Sequence, residues 1–244
     1  MHVYKFDDET FPSVTTILGQ LSKGDSLMQW AVDKSFEVGD RLGWKNYRTK
    51  TADLGSELHA LIEAHINARL NENSLDIEII RKQFNEAAIP MYMQFLVWEK
   101  NNVKKWIESE QPIFHFCKGF AGTCDMIFED INGEIVLCDL KTSNDIYKEA
   151  ELQVSAYLAA RESMVGGFKV TFSDGKSSWN KELFYKGIKI SKCAVLMISR
   201  DFFDLKYKVI KDHEMKYESF LGLVKYYYYS AKRRVKNQIT KELY

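Results

Sequence analysis

Two apolar runs, AGTCDMIFED (121–130) and EIVLCDLK (134–141), flank the dipeptide Asn132-Gly133. Asn-Gly between alternating hydrophobic segments is the strongest short-range signal for a β-hairpin. A sheet must therefore be built on this pair. The second run also carries an anomaly: Asp139 sits inside the apolar stretch from Ile135 to Leu140, Lys141 follows two positions later, and Asp125 stands alone upstream. A buried carboxylate is costly without a partner, hydrogen bonds or a metal ion. Side chains alternate along a strand, so Asp139 and Lys141 point the same way. A two-residue loop would set Asp125 opposite Leu140. A three-residue loop, Ile131-Asn132-Gly133 with the glycine left-handed, sets it opposite Asp139. The second register is preferred, because it gathers the three charged groups and leaves Val136, Cys138 and Leu140 on the other face.

Around the hairpin the hydrophobic period changes along the chain. Residues 2–11 read as a short strand pair turned at Asp7-Asp8, and FPSVTTILG (11–19) as a helix started by Pro12 and Ser13 and stopped at Gly19. A helix over 26–37 leads into GDRLGWKNYRTKT (39–51), read as a basic, aromatic connector. Leu54, Leu58, Leu61, Ile62 and Ile66 recur at three and four, which predicts a helix over 52–70. A longer helical stretch is expected over about 76–109, divided or kinked at Pro90. PIFHFCK (112–118) alternates as a strand, a helix is expected over 146–163, and residues 168–190 read as a strand or a hairpin with a long polar tip. Buried strands follow at 193–201 and 205–210, with a last helix from 212. The expectation is an α/β (α+β) fold: a central mixed β-sheet flanked by helices, with a helical N-terminal part. One domain is expected over 1–244, comprising a mainly helical part with the histidine (1–110), a β-β-β-α-β core (111–211) and a C-terminal helix (212–244).

Composition excludes several classes. Lys+Arg and Asp+Glu both number 34, so a nucleic-acid partner would have to be held by local patches. No apolar run is long enough for a membrane span, and MHVYKFDDET resembles neither a signal nor a transit peptide, so an intracellular, cytoplasmic protein is expected. The cysteines at 117, 124, 138 and 193 form no C-x-x-C pair, which argues against a structural zinc, an iron–sulfur cluster or a disulfide framework.

Chemistry is concentrated at the hairpin. Two adjacent carboxylates repel, and each tends to keep a proton unless a cation relieves them. Hard oxygen donors suit Mg²⁺ or Mn²⁺, and a lysine alongside can orient water or steady charge developing on a phosphate. Metal, carboxylates and lysine together suit phosphodiester hydrolysis. The plainer alternative is a strand-end ion pair between Lys141 and one of the aspartates.

GTCD (122–125) followed by CDLK (138–141) resembles the D…(D/E)-x-K signature of the PD-(D/E)XK nuclease superfamily. LGSELHALIE (54–63) is similar to the helical G-x-x-x-H motif of its RecB-like branch, and AELQVSAYLAA (150–160) to its Q-x-x-x-Y motif. FPSVTTIL with LMQW (27–30) resembles the N-terminal segment of single-strand exonucleases related to the mitochondrial genome maintenance exonuclease and of phage relatives. The likeness covers roughly residues 10–160. It implies a restriction-endonuclease-like core and a metal-dependent deoxyribonuclease, an exonuclease on single-stranded ends in replication, repair or recombination. His59, Asp125, Asp139 and the Leu140 carbonyl would hold one or two Mg²⁺ or Mn²⁺ ions. Lys141 would position the attacking water, and Gln153 and Tyr157 would orient the lysine and substrate. Glu63, one turn from His59, and Glu110, before the first core strand, are accessory candidates. The cluster-binding cysteines of some relatives are missing, so no iron–sulfur cluster is expected. With no G-x-x-x-x-G-K-[ST] loop, any helicase or recombination motor would be another chain.

Candidate DNA contacts are Ser13, Thr15 and Thr16, which could equally cap a helix. Others are Lys45, Arg48 and Lys50 in WKNYRTK, the pair Lys104-Lys105, and Arg233 and Arg234 in the C-terminal basic run. The resemblance further implies a helical arch near the N-terminus that admits a single strand. Three rivals remain: a structure-specific or restriction-type endonuclease of the same superfamily, a non-catalytic DNA-binding or assembly subunit, and an interaction domain whose acids form structural ion pairs.

Overall fold

The computed structural model describes residues 3–6, 9–21, 24–74, 80, 84–173, 178–200 and 204–230. In chain order the elements are β1 (Val3–Phe6), β2 (Glu9–Pro12), α1 (Val14–Leu18), α2 (Gly24–Val38), α3 (Gly43–Leu70), α4 (Ile89–Asn102), β3 (Val103–His115), β4 (Phe120–Asp130) and β5 (Ile135–Lys141). They continue with α5 (Lys148–Ser163), β6 (Gly166–Ser173), β7 (Ser178–Tyr185), β8 (Lys192–Ile198), β9 (Leu205–Val209) and α6 (His213–Ser230). The expected α+β architecture is present. A five-stranded mixed sheet runs β3-β4-β5-β8-β9, in which only β5 and β8 pair in parallel, and helices lie on its faces.

The hairpin forms as its sequence demands. Glu129 faces Ile135, Phe128 faces Val136 and Met126 faces Cys138. The Asp130 N–H donates to the Glu134 carbonyl at 2.9 Å, which closes a three-residue loop. Gly133 takes φ +82°, a left-handed conformation that an L side chain disfavours. Asp130 secures the loop by accepting the Asn132 and Glu134 N–H groups at 2.8 and 3.0 Å, and Lys192 holds its second oxygen at 2.6 Å. The preferred register is the one observed, and its continuation sets Asp125 level with Asp139.

Two apolar clusters lie on opposite sides of this sheet. One joins Val14 and Ile17 of α1, Val154 and Leu158 of α5, and Phe220 of α6 to Ile127 and Leu137. The other joins Leu58, Ile62 and Ile66 of α3 and Phe95 and Trp98 of α4 to Phe128, Val136 and Leu140. At roughly 1.5–3 kcal/mol for each large side chain fully buried, this double core is the main support of the site. Cys124 and Ile127 both fall in the first cluster, whereas Met126 falls in the second. Strand alternation therefore slips once beside Asp125.

Several sequence expectations need correction. Residues 43–51 are not a connector but the first turns of α3; they are mostly exposed, so no apolar period marks them. Pro90 does not kink a long helix. It sits in the first turn of α4, where its missing N–H costs nothing. The chain turns to strand at Val103, before the expected 109, because Trp106 packs inward between exposed lysines and acids. The 1–110 part is mainly helical with the expected strand pair at its start, and β1 also pairs with β6 in a second sheet, β2-β1-β6-β7, that ties the N-terminus to the later half. The 168–190 segment forms the β6–β7 hairpin of that second sheet; its tip lies outside the described residues, as does the turn at Asp7-Asp8. The last helix is described only to Ser230, so Arg233 and Arg234 also lie outside the described residues. Among the described residues, no helix is long and apolar enough to cross a membrane.

Candidate metal centre

The site forms where β4 and β5 part. Their ladder ends at Met126 and Cys138, while β4 continues to pair with β3 as far as Phe120. The Leu140 N–H loses its strand partner there and donates instead to the Asp125 carboxylate at 2.6 Å. A polar side chain thus replaces a ladder bond, and this satisfies a buried donor that would otherwise cost on the order of 1–3 kcal/mol. Ser13, at the end of β2, bridges β4 at Ala121 beyond the gap. The opening lies between these two pairings.

Three elements converge on it. His59 comes from α3, Glu110 from β3 and Asp125 from β4, and one ligand atom from each lies within 4.8 Å of the others. His59 Nδ1 is 3.8 Å from an Asp125 oxygen and 3.9 Å from Glu110. Glu110 pairs across from Asp125 and takes φ +47°, uncommon for a non-glycine residue, which marks a local constraint of the order of 1–3 kcal/mol at the site. Asp139 is 1% exposed and lies beside this group rather than in it. One of its oxygens accepts from Gln153 Nε2 at 3.1 Å, and the other faces the Lys141 ammonium at 2.6 Å. Gln153 also donates to the Tyr157 hydroxyl at 2.9 Å, so Gln153 holds Asp139 directly and Tyr157 holds Gln153. The backbone of Leu140 engages Asp125 through its N–H. Glu63 is not part of the cluster.

Three carboxylates thus face one lysine and one histidine. Burial pushes the Asp125 carboxyl up from its ordinary value, with Glu110 adding to the rise and His59 and Lys141 opposing it. Burial likewise raises Asp139 to about 6, against the pull of Lys141. For His59, burial disfavours the imidazolium, but the charges of Asp125 and Glu110 outweigh it and the pKa rises. Protons are thus favoured on a carboxylate-rich group that is short of positive charge. One imidazole nitrogen with hard carboxylate oxygens is a donor set for a divalent ion such as Mn²⁺ or Mg²⁺. The site residues fit such an ion.

Two glycines explain how the elements come so close. A Cβ on Gly55 would lie 2.6 Å from Thr142 Oγ1, so the glycine one turn before His59 lets α3 press on the end of β5. A Cβ on Gly122 would lie 2.5 Å from Tyr157 Cε1, so β4 must be bare where the tyrosine crosses it. Sequence reasoning did not single out Gly122, Thr142, Thr123 or Tyr4. Tyr4 Oη lies 2.8 Å from Thr123 Oγ1 on the strand carrying Asp125. A glycine inside a strand signals close approach; nothing in the sequence marked Tyr4.

The other candidates stand apart from this cluster. Ser13 is buried and caps α1, accepting the Thr16 N–H at 3.0 Å, and its hydroxyl bonds those of Thr15 and Thr16 at 2.9 and 2.8 Å. That is the capping role. Lys45, Arg48 and Lys50 are exposed on the first turns of α3.

No family model matches this chain, and no curated protein matches it. Among solved structures, the crystal structure of SSO0001 is 13% identical, aligning over 76% of this chain and 82% of that one with a TM-score of 0.29. A score that low carries no argument about fold or function.

Proposed function

We propose that the protein is a metal-dependent nuclease that hydrolyses phosphodiester bonds in DNA, acting as an exonuclease on single-stranded ends. The observation that carries this reading is the convergence of His59, Glu110 and Asp125 within 4.8 Å, beside a buried Asp139–Lys141 pair. His59, Glu110 and Asp125 would hold the ion, with Asp139 adjoining. A bound divalent ion would supply Lewis acidity at the phosphoryl oxygens and ease deprotonation of the attacking water. Asp139 fixes the Lys141 ammonium through their 2.6 Å contact, and Gln153 holds Asp139 from the other side. Lys141 is thereby placed to orient the water and to steady charge on the phosphate. Water oxygen bonds to phosphorus and gives up a proton to solvent, the P–O3′ bond breaks, and the leaving 3′ oxygen takes a proton from solvent to become a hydroxyl. No covalent enzyme intermediate is needed.

The test is digestion of end-labelled linear single-stranded DNA and of a closed single-stranded circle, each with Mg²⁺, Mn²⁺ or EDTA. Metal-dependent loss of the linear strand alone, abolished by Lys141→Ala, is expected. Cutting of the circle as well would make the protein an endonuclease. Failure to cut either strand would leave the ion pair as a scaffold.

A further inference from the structure

Helix α2 leaves apolar side chains in water. Met28, Val32 and Phe36, spaced by four on one face, are 68%, 47% and 82% exposed. A phenylalanine that exposed, in line with two further apolar residues, is the kind of patch that marks a binding surface. Phe36 lies on a cleft of about 530 Å³ whose walls include Ala31, Val32, Arg41 and the Trp44 indole. The chain from Arg41 to Lys50 carries four cations and no acid. Lys45 and Arg48 stand 5.7 and 5.5 Å from the Trp44 ring, and no acid lies within ion-pair distance of Arg41, Lys45, Arg48 or Lys50 among the described residues. At the start of α3 the Leu42 N–H donates to the Asp40 carboxylate at 2.9 Å, and this acid lines the cleft beside Arg41. Apolar rings bordered by unpaired cations match an unpaired base with its phosphate. An apolar protein surface would have no use for the charges.

We infer that the cleft between Phe36 and Trp44 is a stacking site for one unpaired nucleobase of a single strand, with Arg41, Lys45 and Arg48 on the flanking phosphates. The inference rests on the nuclease reading for its purpose, since Trp44 and His59 ride on the same helix. At about 1.5 Å per residue they are about 22 Å apart, roughly six nucleotides of a stacked strand at ~3.4 Å each. The site would hold the strand about six nucleotides away from the bond being cut.

The experiment is fluorescence anisotropy of labelled oligothymidylates, twelve and four nucleotides long, in EDTA, with wild type, Phe36→Ala and Trp44→Ala. Base–aromatic stacking predicts that Trp44→Ala weakens binding of the twelve-mer about 5- to 100-fold, with a smaller loss for Phe36→Ala. The four-mer, too short to reach from Trp44 to His59, is bound more weakly than the twelve-mer by the wild type. Twelve-mer binding within twofold of wild type in both variants overturns the inference, as does a wild type that does not bind the twelve-mer. A dimer that Phe36→Ala dissociates without changing DNA binding also overturns it, and gives the surface to a second copy. Because binding is read without metal, the two failures separate. Loss on Trp44→Ala in a protein that cuts nothing sinks only the nuclease. Normal cutting with unaltered binding sinks only the stacking site.

Discussion

Helix α3 carries two histidines beside carboxylates, and they are built in opposite ways. His65 is 5% exposed and saturated: its Nδ1 meets the Tyr92 hydroxyl at 2.7 Å and its Nε2 meets both Glu99 oxygens at 3.0 Å. Trp106 donates to the same carboxylate at 2.7 Å, and Arg69 approaches it at 3.9 Å. Burial raises the Glu99 carboxyl, but His65, Trp106 and Arg69 outweigh burial and hold it below its ordinary value. His59, by contrast, is 31% exposed and reaches its two carboxylates only at 3.8 and 3.9 Å, too long for a hydrogen bond. There Asp125 is not settled as an anion, since burial pushes its carboxyl up. A closed network consumes its valences and stabilises the fold. An open one retains them for a ligand.

The largest expected effect breaks the open cluster. Asp125→Ala or Lys141→Ala should lower DNA cleavage at least 100-fold, since removing one stabilising group at such a centre costs about 10²–10³ in rate. Stability should fall as well, by about 1–3 kcal/mol for Asp125→Ala, which strips the Leu140 N–H of its acceptor. In the closed cluster the loss should be of stability and not of ion binding. His65→Ala or Glu99→Ala should lose about 3–5 kcal/mol of stability in urea titrations, as when one partner of a buried pair is removed. The same variants should keep divalent-ion affinity to the extent that they remain folded.

A pH series sharpens the contrast. The pKa of Asp139 is raised from 3.8 to about 6, so its proton favours the folded state below pH 4. That contribution fades as pH rises through 6. Metal must displace the protons held by its own ligands Asp125 and His59, both of whose pKa values are raised. The gain in melting temperature on adding Mn²⁺ should therefore be small at pH 5 and grow as pH rises past 6.5, the ordinary histidine value. A gain independent of pH would mean that the ion binds elsewhere. A smaller loss, about 1–3 kcal/mol, is expected for Gly122→Ala, which drives a methyl into Tyr157 and displaces the clasp on Asp139. Glu63→Gln, outside both clusters, should change stability by less than about 0.5 kcal/mol and leave cleavage nearly unchanged.

Much of this contrast was legible in the sequence, and the reason is local. Asn132-Gly133 and the alternating runs set the hairpin register, and the register alone brought Asp125 level with Asp139. His59 and the pair Gln153 and Tyr157 were visible as residues one turn apart on predicted helices. Glu110 was harder: its place depends on a left-handed backbone within β3 and on pairing with β4, neither of which a linear pattern encodes. The sequence pointed to Asp139 as a ligand on equal terms with Asp125. In the fold Asp139 serves Lys141 and Gln153, because the two strands diverge just there. The saturated His65 network escaped notice altogether, since its partners come from α4 and β3, some 30 to 40 positions along the chain.

His59, Glu110 and Asp125 are proposed to form a divalent-cation site, and the second histidine of the same helix is not. Electron paramagnetic resonance of Mn²⁺ titrated at pH 7.5 tests it most directly, with wild type, His59→Ala and His65→Gln side by side. A bound Mn²⁺ signal in wild type that survives His65→Gln, and an affinity at least tenfold weaker in His59→Ala, is the expected result. Equal binding by wild type and His59→Ala would contradict the account, and the loosely packed histidine would then be only a neighbour of the buried acids.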